Sequence, residues 1–515
     1  MFASNFHISQ RMSSLRLSPG AVAEKLFAID PDRDERASQI CAEVLLTLLS
    51  NQFVAPGPLG PSSPKTKRFA LRSLVLGRNF LAGQTKMLPG TGLRAEEYGS
   101  LLAAGSDFHG SENLHLARIA LRNLIDPATE QGQEGQHLLM PFHEALLWYD
   151  ARSTSASYSV RKVRMRGSGI TLARLLLDPP SAAGPKTRAQ AARAVAGIHQ
   201  ALTGDSPLAV VANELERVLP DELHARPQLE DDERAAWDLG GSGRLSEFAV
   251  AVCRHVEGVS GQGEASGPAR LWQLRTILAL DLAVDTLRRS WDAVGIPSDR
   301  RHLLLALPGR ERQQDRVRLR SERCYGEVRN EISWATIRTL EVVMRELHND
   351  GGIDWDNELD SRTRRILEES VVQPYLRDAE PDLALLAQLV FENASYGRSG
   401  DGFRVLLESM GISAGGTKYR YLSGTPDFMS ALVGSLSAEM PMTSGDFFDR
   451  LRDEWGIIIS PSAAIGTAFA KELDGAELAV NARRFERMLI EAGLASGLSD
   501  RTVLVGERAG RRSHE

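Results

Sequence analysis

Apolar side chains recur at intervals of three and four along most of the chain, the spacing that lines one face of an α-helix. Between residues 19 and 53, Val22, Leu26, Val44, Leu45, Leu48 and Leu49 fall on such stripes. The pattern ends at the breaker-rich run Pro56-Gly57-Pro58-Leu59-Gly60-Pro61. Further helices are predicted over 95–104 and 111–125, the second with Ser111 as N-cap. Residues 158–166 instead alternate polar with apolar and stop at Gly167-Ser168-Gly169, which predicts a strand and a turn. Helical periodicity returns over 187–202 and 207–219. It is strongest over 269–294, where Leu271, Leu274, Ile277, Leu278, Leu282, Val284 and Leu287 form a broad apolar face. Leu303 to Leu307 reads as a short buried strand, and helices resume over 332–347, 361–376, 381–391 and 402–410.

A Pro/Gly-rich break at 178–185 and a glycine-rich one at 411–424 divide this pattern into three segments. The expected organisation is an N-terminal α+β domain over 1–180, a helical middle region over 186–410 and a C-terminal domain over 420–507. Three domains also suit 515 residues, at about 100–200 residues per domain. The fold class expected is mainly α with small β elements (α+β), without a solenoid repeat.

Composition narrows the function classes. Hydrophobic residues at 42% and charged residues at 25% are those of an ordinary globular chain. A net charge of −6 argues against a surface that coats nucleic acid throughout, so any such contact must be local. Cys41, Cys253 and Cys324 are too dispersed for a zinc knuckle or a disulfide framework. Residues 1–23 lack the continuous apolar core of a secretory signal, and a frayed N-terminus is expected there. No uncharged run approaches the roughly 20 residues that cross a bilayer. A soluble, cytoplasmic protein without membrane contact is therefore expected.

Local signatures of catalysis, cofactor or metal are incomplete. Gly60-Pro-Ser-Ser-Pro-Lys65-Thr66 ends like a phosphate loop, but Pro64 stands where a backbone N–H is needed. Gly261-Gln-Gly263-Glu-Ala-Ser-Gly267 has the wrong spacing for a dinucleotide fingerprint and follows no strand. His109, Glu112 and His115 could share a helix side, yet no further metal ligand is identifiable. Asp354, Asp356, Glu358 and Asp360 alternate as in a calcium loop, with the central glycine missing and Arg365 where the bidentate glutamate belongs. Cys253 and His255 are close in sequence, but helical residues two apart do not face each other. His143 and Glu144 read as structural. No catalytic residue, metal site or cofactor is assigned on these grounds.

The basic segments carry more. Strand alternation would place Lys162, Arg164 and Arg166 on one face, which fits a phosphate backbone and equally a charge-protected edge strand. The arginines from Arg310 to Arg323 are interleaved with Glu311, Asp315 and Glu322, as on a solvated helix face. Toward the C-terminus, helices are predicted over 426–436, from a Thr443 or Ser444 cap to Trp455, and over 477–492, followed by a turn and strand over 499–505. The third of these helices carries Arg483, Arg484 and Arg487, and Arg501 follows in the turn.

That order of three helices and a short strand resembles a winged helix, whose third helix commonly enters the major groove. The resemblance implies a role for Arg483, Arg484, Arg487 and Arg501 in contacting duplex DNA or, since winged helices also dock proteins, a partner. Residues 447–459, 481–494 and 498–500 are also similar to the C-termini of proteins encoded in bacterial genome-defence islands, often beside motor ATPases and nucleases. This second resemblance implies a context of antiviral defence. The leading expectation is a non-enzymatic subunit of a bacterial antiphage or DNA-processing complex that binds DNA and partner proteins, among them a motor ATPase or nuclease. A nucleic-acid-processing enzyme with a dispersed site and a scaffold without nucleic-acid contact are the alternatives.

Overall fold

A computed structural model describes residues 26, 36–49, 120–121, 123–124, 138–147, 151–154, 157–162, 168–203, 210, 243–261, 266–307, 315–349, 382–393, 399–416, 419–437, 440–499 and 502–506. The protein is mainly helical with a few short strands. The first helix, α1 (Ala37–Leu49), is buried on every side through Leu48, the polar Ser38, Gln39, Glu43 and Thr47 included. It packs on α2 (Ser168–Leu177), where the Glu43 Oε2 accepts a hydrogen bond from the Gly169 N–H at 2.8 Å. Between them in sequence lies a two-stranded antiparallel hairpin, β1 (Ala151–Thr154) and β2 (Ser157–Lys162). The sequence pattern gave the second strand but not its partner.

Next come α3 (Gly184–Leu202), α4 (Gly243–Ser260) and α5 (Gly267–Val294). Helix α3 begins inside the expected break because Pro185 is compatible with a first helical turn. Helix α5 is the axis of the molecule. Ser266 caps its start, accepting from the Ala269 N–H at 3.4 Å, and Gly295 ends it at φ 72°. Helices α1, α3 and α4 pack around it, as do α6 (Arg316–Asn349), α8 (Ser399–Met410) and α9 (Pro426–Leu436). Helix α7 (Leu383–Asn393) lies on α6. Helix α4 meets the end of α9 at Gly258, where an added Cβ would stand 2.1 Å from the Ser435 carbonyl oxygen. Only glycine permits that approach.

The strands are clips between helices. β3 (Leu303–Leu304) lies parallel to β7 (Ile457–Ile458), and β4 (Ser413–Ala414) pairs with β5 (Tyr421–Leu422) inside the segment read as a glycine-rich break. Ser321 of α6 grips β5 through both backbone groups of Leu422, each at 2.9 Å. After α9 the chain forms β6 (Met442–Thr443), α10 (Ser444–Trp455), β7, the short helices α11 (Pro461–Ala464) and α12 (Phe469–Glu472), α13 (Gly475–Glu491), β8 (Ala495–Ser499) and β9 (Thr502–Val505). Strand β9 lies between β6 and β8 in an antiparallel sheet. One continuous apolar core contains Leu172, Leu278, Leu407 and Phe485, and so draws on all three segments marked out by composition. Among the described residues, no helix is long and apolar enough to cross a membrane.

Candidate functional site

Two places concentrate polar chemistry: a buried seam where α10 meets α4 and α5, and the outer face of α13. At the seam, the apolar stripe Phe248, Val252, Val256 and Val259 turns α4 toward the core and carries His255 inward, 1% exposed. On α5, Asp281 interrupts the run from Ile277 to Val284. The third contributor is the end of α10, which Gly456 stops at φ 70°. That αL turn leaves Glu454 and Trp455 against both body helices.

The His255 Nδ1 meets the Asp281 Oδ1 at 2.7 Å, and its Nε2 meets the Glu454 Oε2 at 3.2 Å. The indole of Trp455 lies 4.4 Å from the imidazole, centroid to centroid, and donates to the same Asp281 oxygen at 2.7 Å. Arg254 pairs with Glu454, and Arg288 donates to its backbone carbonyl at 2.7 Å. Burial acts to push the His255 imidazole down, but the charge and hydrogen bond of Asp281, with those of Glu454, outweigh it and hold it above its ordinary 6.5. With a carboxylate at each nitrogen, the imidazolium can donate both protons. Burial acts to raise Glu454, and the hydrogen bond and charge of His255, with Arg254 and Arg288, bring it below its ordinary 4.5.

A cleft of about 350 Å³ opens beside this network, with Phe248, Val284 and Trp291 among its walls and Arg288, Arg301 and His302 among its polar groups. Burial, reinforced by Arg452, pushes His302 below its ordinary value. The Asp281 side chain is 2% exposed, and its Oδ2 is buried without a hydrogen-bond partner among the described residues.

Cys253 and His255 do face apart. The Cys253 Sγ points to the Leu175 carbonyl at 3.5 Å, and burial, with Asp281 and Glu257, raises the thiol to about 12. Cys324 is raised to about 12 by burial as well. Both are inert core thiols at neutral pH. His143 is buried. His109, Glu112, His115, the acids from Asp354 to Asp360 and the run from Gly60 to Thr66 lie outside the described residues. Among the described residues no group of three His, Cys, Asp or Glu side chains is placed to hold a metal ion.

The basic residues separate into different surroundings. Lys162 ends β2 and pairs in register with Ala151, whereas Arg164, Arg166 and Arg501 lie outside the described residues. On α13, Leu478, Asn481, Phe485 and Leu489 face the core, while Ala476, Val480, Arg483, Arg487 and Ile490 form the exposed stripe. Among the described residues, Arg483 and Arg487 have no ion-pair partner. Arg484 turns inward, donating to the Leu307 carbonyl at 2.8 Å and to the Asp315 Oδ2 at 2.6 Å. Asp315 in turn caps α6 through the Arg318 N–H at 3.1 Å.

Of the arginine cluster at the start of α6, Arg316 and Arg323 are exposed as on the solvated face expected, while Arg318 and Arg320 are half-buried. Arg316 pairs with Glu477, and Arg320 pairs with Glu472 and lies 4.8 Å over the Phe469 ring. Glu472 and Glu477 come from the C-terminal module, which the interleaved pattern could not reveal, whereas Arg318 with Glu322 and Arg320 with Glu327 pair along α6 itself.

The chain matches no family model, no curated protein and no solved structure in the comparisons made.

Proposed function

We propose that the protein is a non-enzymatic subunit of a bacterial antiphage or DNA-processing complex, with its C-terminal module as a winged-helix-like element that docks duplex DNA. The observation that carries the reading is the outer stripe of α13, where Arg483 and Arg487 stand exposed and have no ion-pair partner among the described residues, while Arg484 is used internally. The order of elements supports it. Helices α9, α10 and α13, with β6 ahead of α10 and the β8–β9 hairpin after α13, follow the helix and strand order of a winged helix, in which the third helix reads the major groove. The defence context rests on the resemblance of residues 447–459, 481–494 and 498–500.

Two unpaired guanidiniums on one helix face suit phosphate contacts, which make affinity fall with salt by about 0.9 log units per phosphate. Duplex affinity measured across a salt series is expected to be weak with a steep dependence. Replacing Arg483 and Arg487 together by alanine should flatten the slope by about two units. An unchanged slope and affinity would remove the nucleic-acid role.

A second reading, docking of a partner protein, is favoured by Val480 and Ile490, which are 38% and 42% exposed on the same stripe. Loss of a co-purifying partner in the double variant, with DNA affinity intact, would select it.

A further inference from the structure

We propose that His255 is a proton-operated latch between the body and the C-terminal module: the protonated imidazole bonds both, and the proton lost at higher pH is the one that reaches across to the module. The latch shares no residue with the outer stripe of α13 and is independent of the DNA reading.

The two ring nitrogens face different parts of the molecule. Nδ1 meets Asp281 of α5, a body helix like α4, at 2.7 Å, while Nε2 meets Glu454 of α10 at 3.2 Å. The two carboxylates differ in how they bear the loss of a proton. The Asp281 side chain is 2% exposed, and its other oxygen is buried without a hydrogen-bond partner among the described residues. An Nδ1 lone pair turned toward it would set a buried charge against a buried acceptor, the costliest arrangement available here. The Glu454 side chain is 20% exposed and keeps both Arg254 and contact with solvent. The neutral form is therefore the Nδ1–H tautomer, whose Nε2 lone pair opposes the Glu454 carboxylate. The bond within the body survives titration, and the bond across to the module does not.

The surroundings leave this proton to His255. Its own helix carries Glu247, Arg254 and Glu257, which are charged, and Cys253, whose thiol is raised to about 12. Asp285 and Arg288 come from α5, Arg452 from α10, and Arg193 of α3 pairs with Glu257. The Leu175 carbonyl of α2 and the Ser435 hydroxyl of α9, which also meet α4 here, do not titrate. His302, the other imidazole on the cleft, is pushed below its ordinary value and changes charge on the acid side, where His255 is still protonated.

Hydrogen exchange of the full chain, read by mass spectrometry and divided by the intrinsic rate at each pH, tests the latch. The amides that close the last turn of α10, such as the Gly456 N–H on the Arg452 carbonyl at 2.8 Å, should lose about tenfold of their protection as His255 titrates. The stretch of α5 around Asp281, whose bond to Nδ1 is kept, should change several-fold less. In Glu454→Gln the amide can accept from the protonated ring and donate to the neutral one, so the response of α10 should flatten. His255→Gln, which has no proton to lose, should flatten it as well. The far-UV circular dichroism of each variant checks its fold, and if one misfolds, the comparison of α10 with α5 in the unmodified protein still decides. Protection of α10 that does not change with pH overturns the proposal, as does an equal change in α5 or a response that persists in either variant.

Discussion

Arg483 and Arg484 are neighbours on one helix and meet opposite surroundings. One projects from the outer stripe of α13, while the other reaches through to the N-cap of α6. The same division runs through the whole C-terminal module. Its inner side is bonded to the body by named polar contacts, of which the fully buried Asn481 gives three: its amide donates to the Leu305 and Ile459 carbonyls at 2.9 and 3.0 Å, and its oxygen accepts from the Leu307 N–H at 3.0 Å. Its outer side carries exposed cations and single exposed apolar residues. A charge on the inner side therefore holds the module in place, whereas a charge on the outer side is available to something else. Each side answers differently to substitution, and the difference is measurable.

The largest effect is expected from Asp281→Ala. It leaves the His255 imidazolium facing one carboxylate and removes the acceptor of the Trp455 indole. Breaking a buried ion pair by deleting one partner costs roughly 3–5 kcal/mol. A urea midpoint that moves by less than about 1 kcal/mol equivalent would show that the seam does not hold the module. Changes to the outer stripe have no comparable route to stability.

This contrast was only partly legible in the sequence. The 3.6-residue period located α5, α9, α10 and α13 because each buries one continuous stripe, and Thr443 marked the start of α10 by side-chain capping. What periodicity cannot report is which separate stripes meet. Asp281 within an apolar run and His255 on the buried side of α4 were local anomalies that a lone acid or histidine often shows. Their partnership, and that of Glu454, depends on contacts 26 and 199 residues apart. Leu303 to Leu307 read as a short buried strand and β3 lies within it, but its parallel partner β7 escaped, since a two-residue strand carries no alternation to read. Arg484 could not be told from Arg483 by charge. Its helical phase, one residue before Phe485, was the available signal.

A smaller and reversible effect should follow pH. His255 is held above 6.5, so its contribution is complete below the ordinary imidazole range and is lost as pH rises through the raised value. Glu454 is held below 4.5, so its contribution is complete above that and is lost as pH falls through the lowered value. The seam is tightest between about 4.5 and 6.5. Urea midpoints across pH should decline on the alkaline side in the unmodified protein, and His255→Gln should lose that decline. Parallel curves for the two proteins would assign the titration to another group.

Arg484→Ala comes next. The substitution removes two hydrogen bonds and leaves the Asp315 carboxylate, 7% exposed, with its cap to the Arg318 N–H but without the guanidinium. Arg484 itself is 31% exposed, which lowers the value of the pair through solvent screening. About 1 kcal/mol is expected, read as a shift of the urea midpoint. A neutral result would place Arg484 with its exposed neighbours and dissolve the comparison at its sharpest point.

The smallest stability effect belongs to the paired change Arg483→Ala and Arg487→Ala. Both side chains are exposed, neither forms an ion pair among the described residues, and alanine has the higher helix propensity, so the loss of charge costs the described fold nothing it was using. Substitutions of this kind fall within about 0.5 kcal/mol. The same variant is the one expected to flatten the salt dependence of duplex binding, and a near-zero change in stability is what makes that measurement readable, because lost affinity then cannot come from a loosened module. Helical circular dichroism and the urea midpoint of the double variant should therefore overlay those of the unmodified protein. A shift above 1 kcal/mol would mean that the outer stripe is bonded to the body after all, and that its arginines are held by the fold in the same way as Arg484.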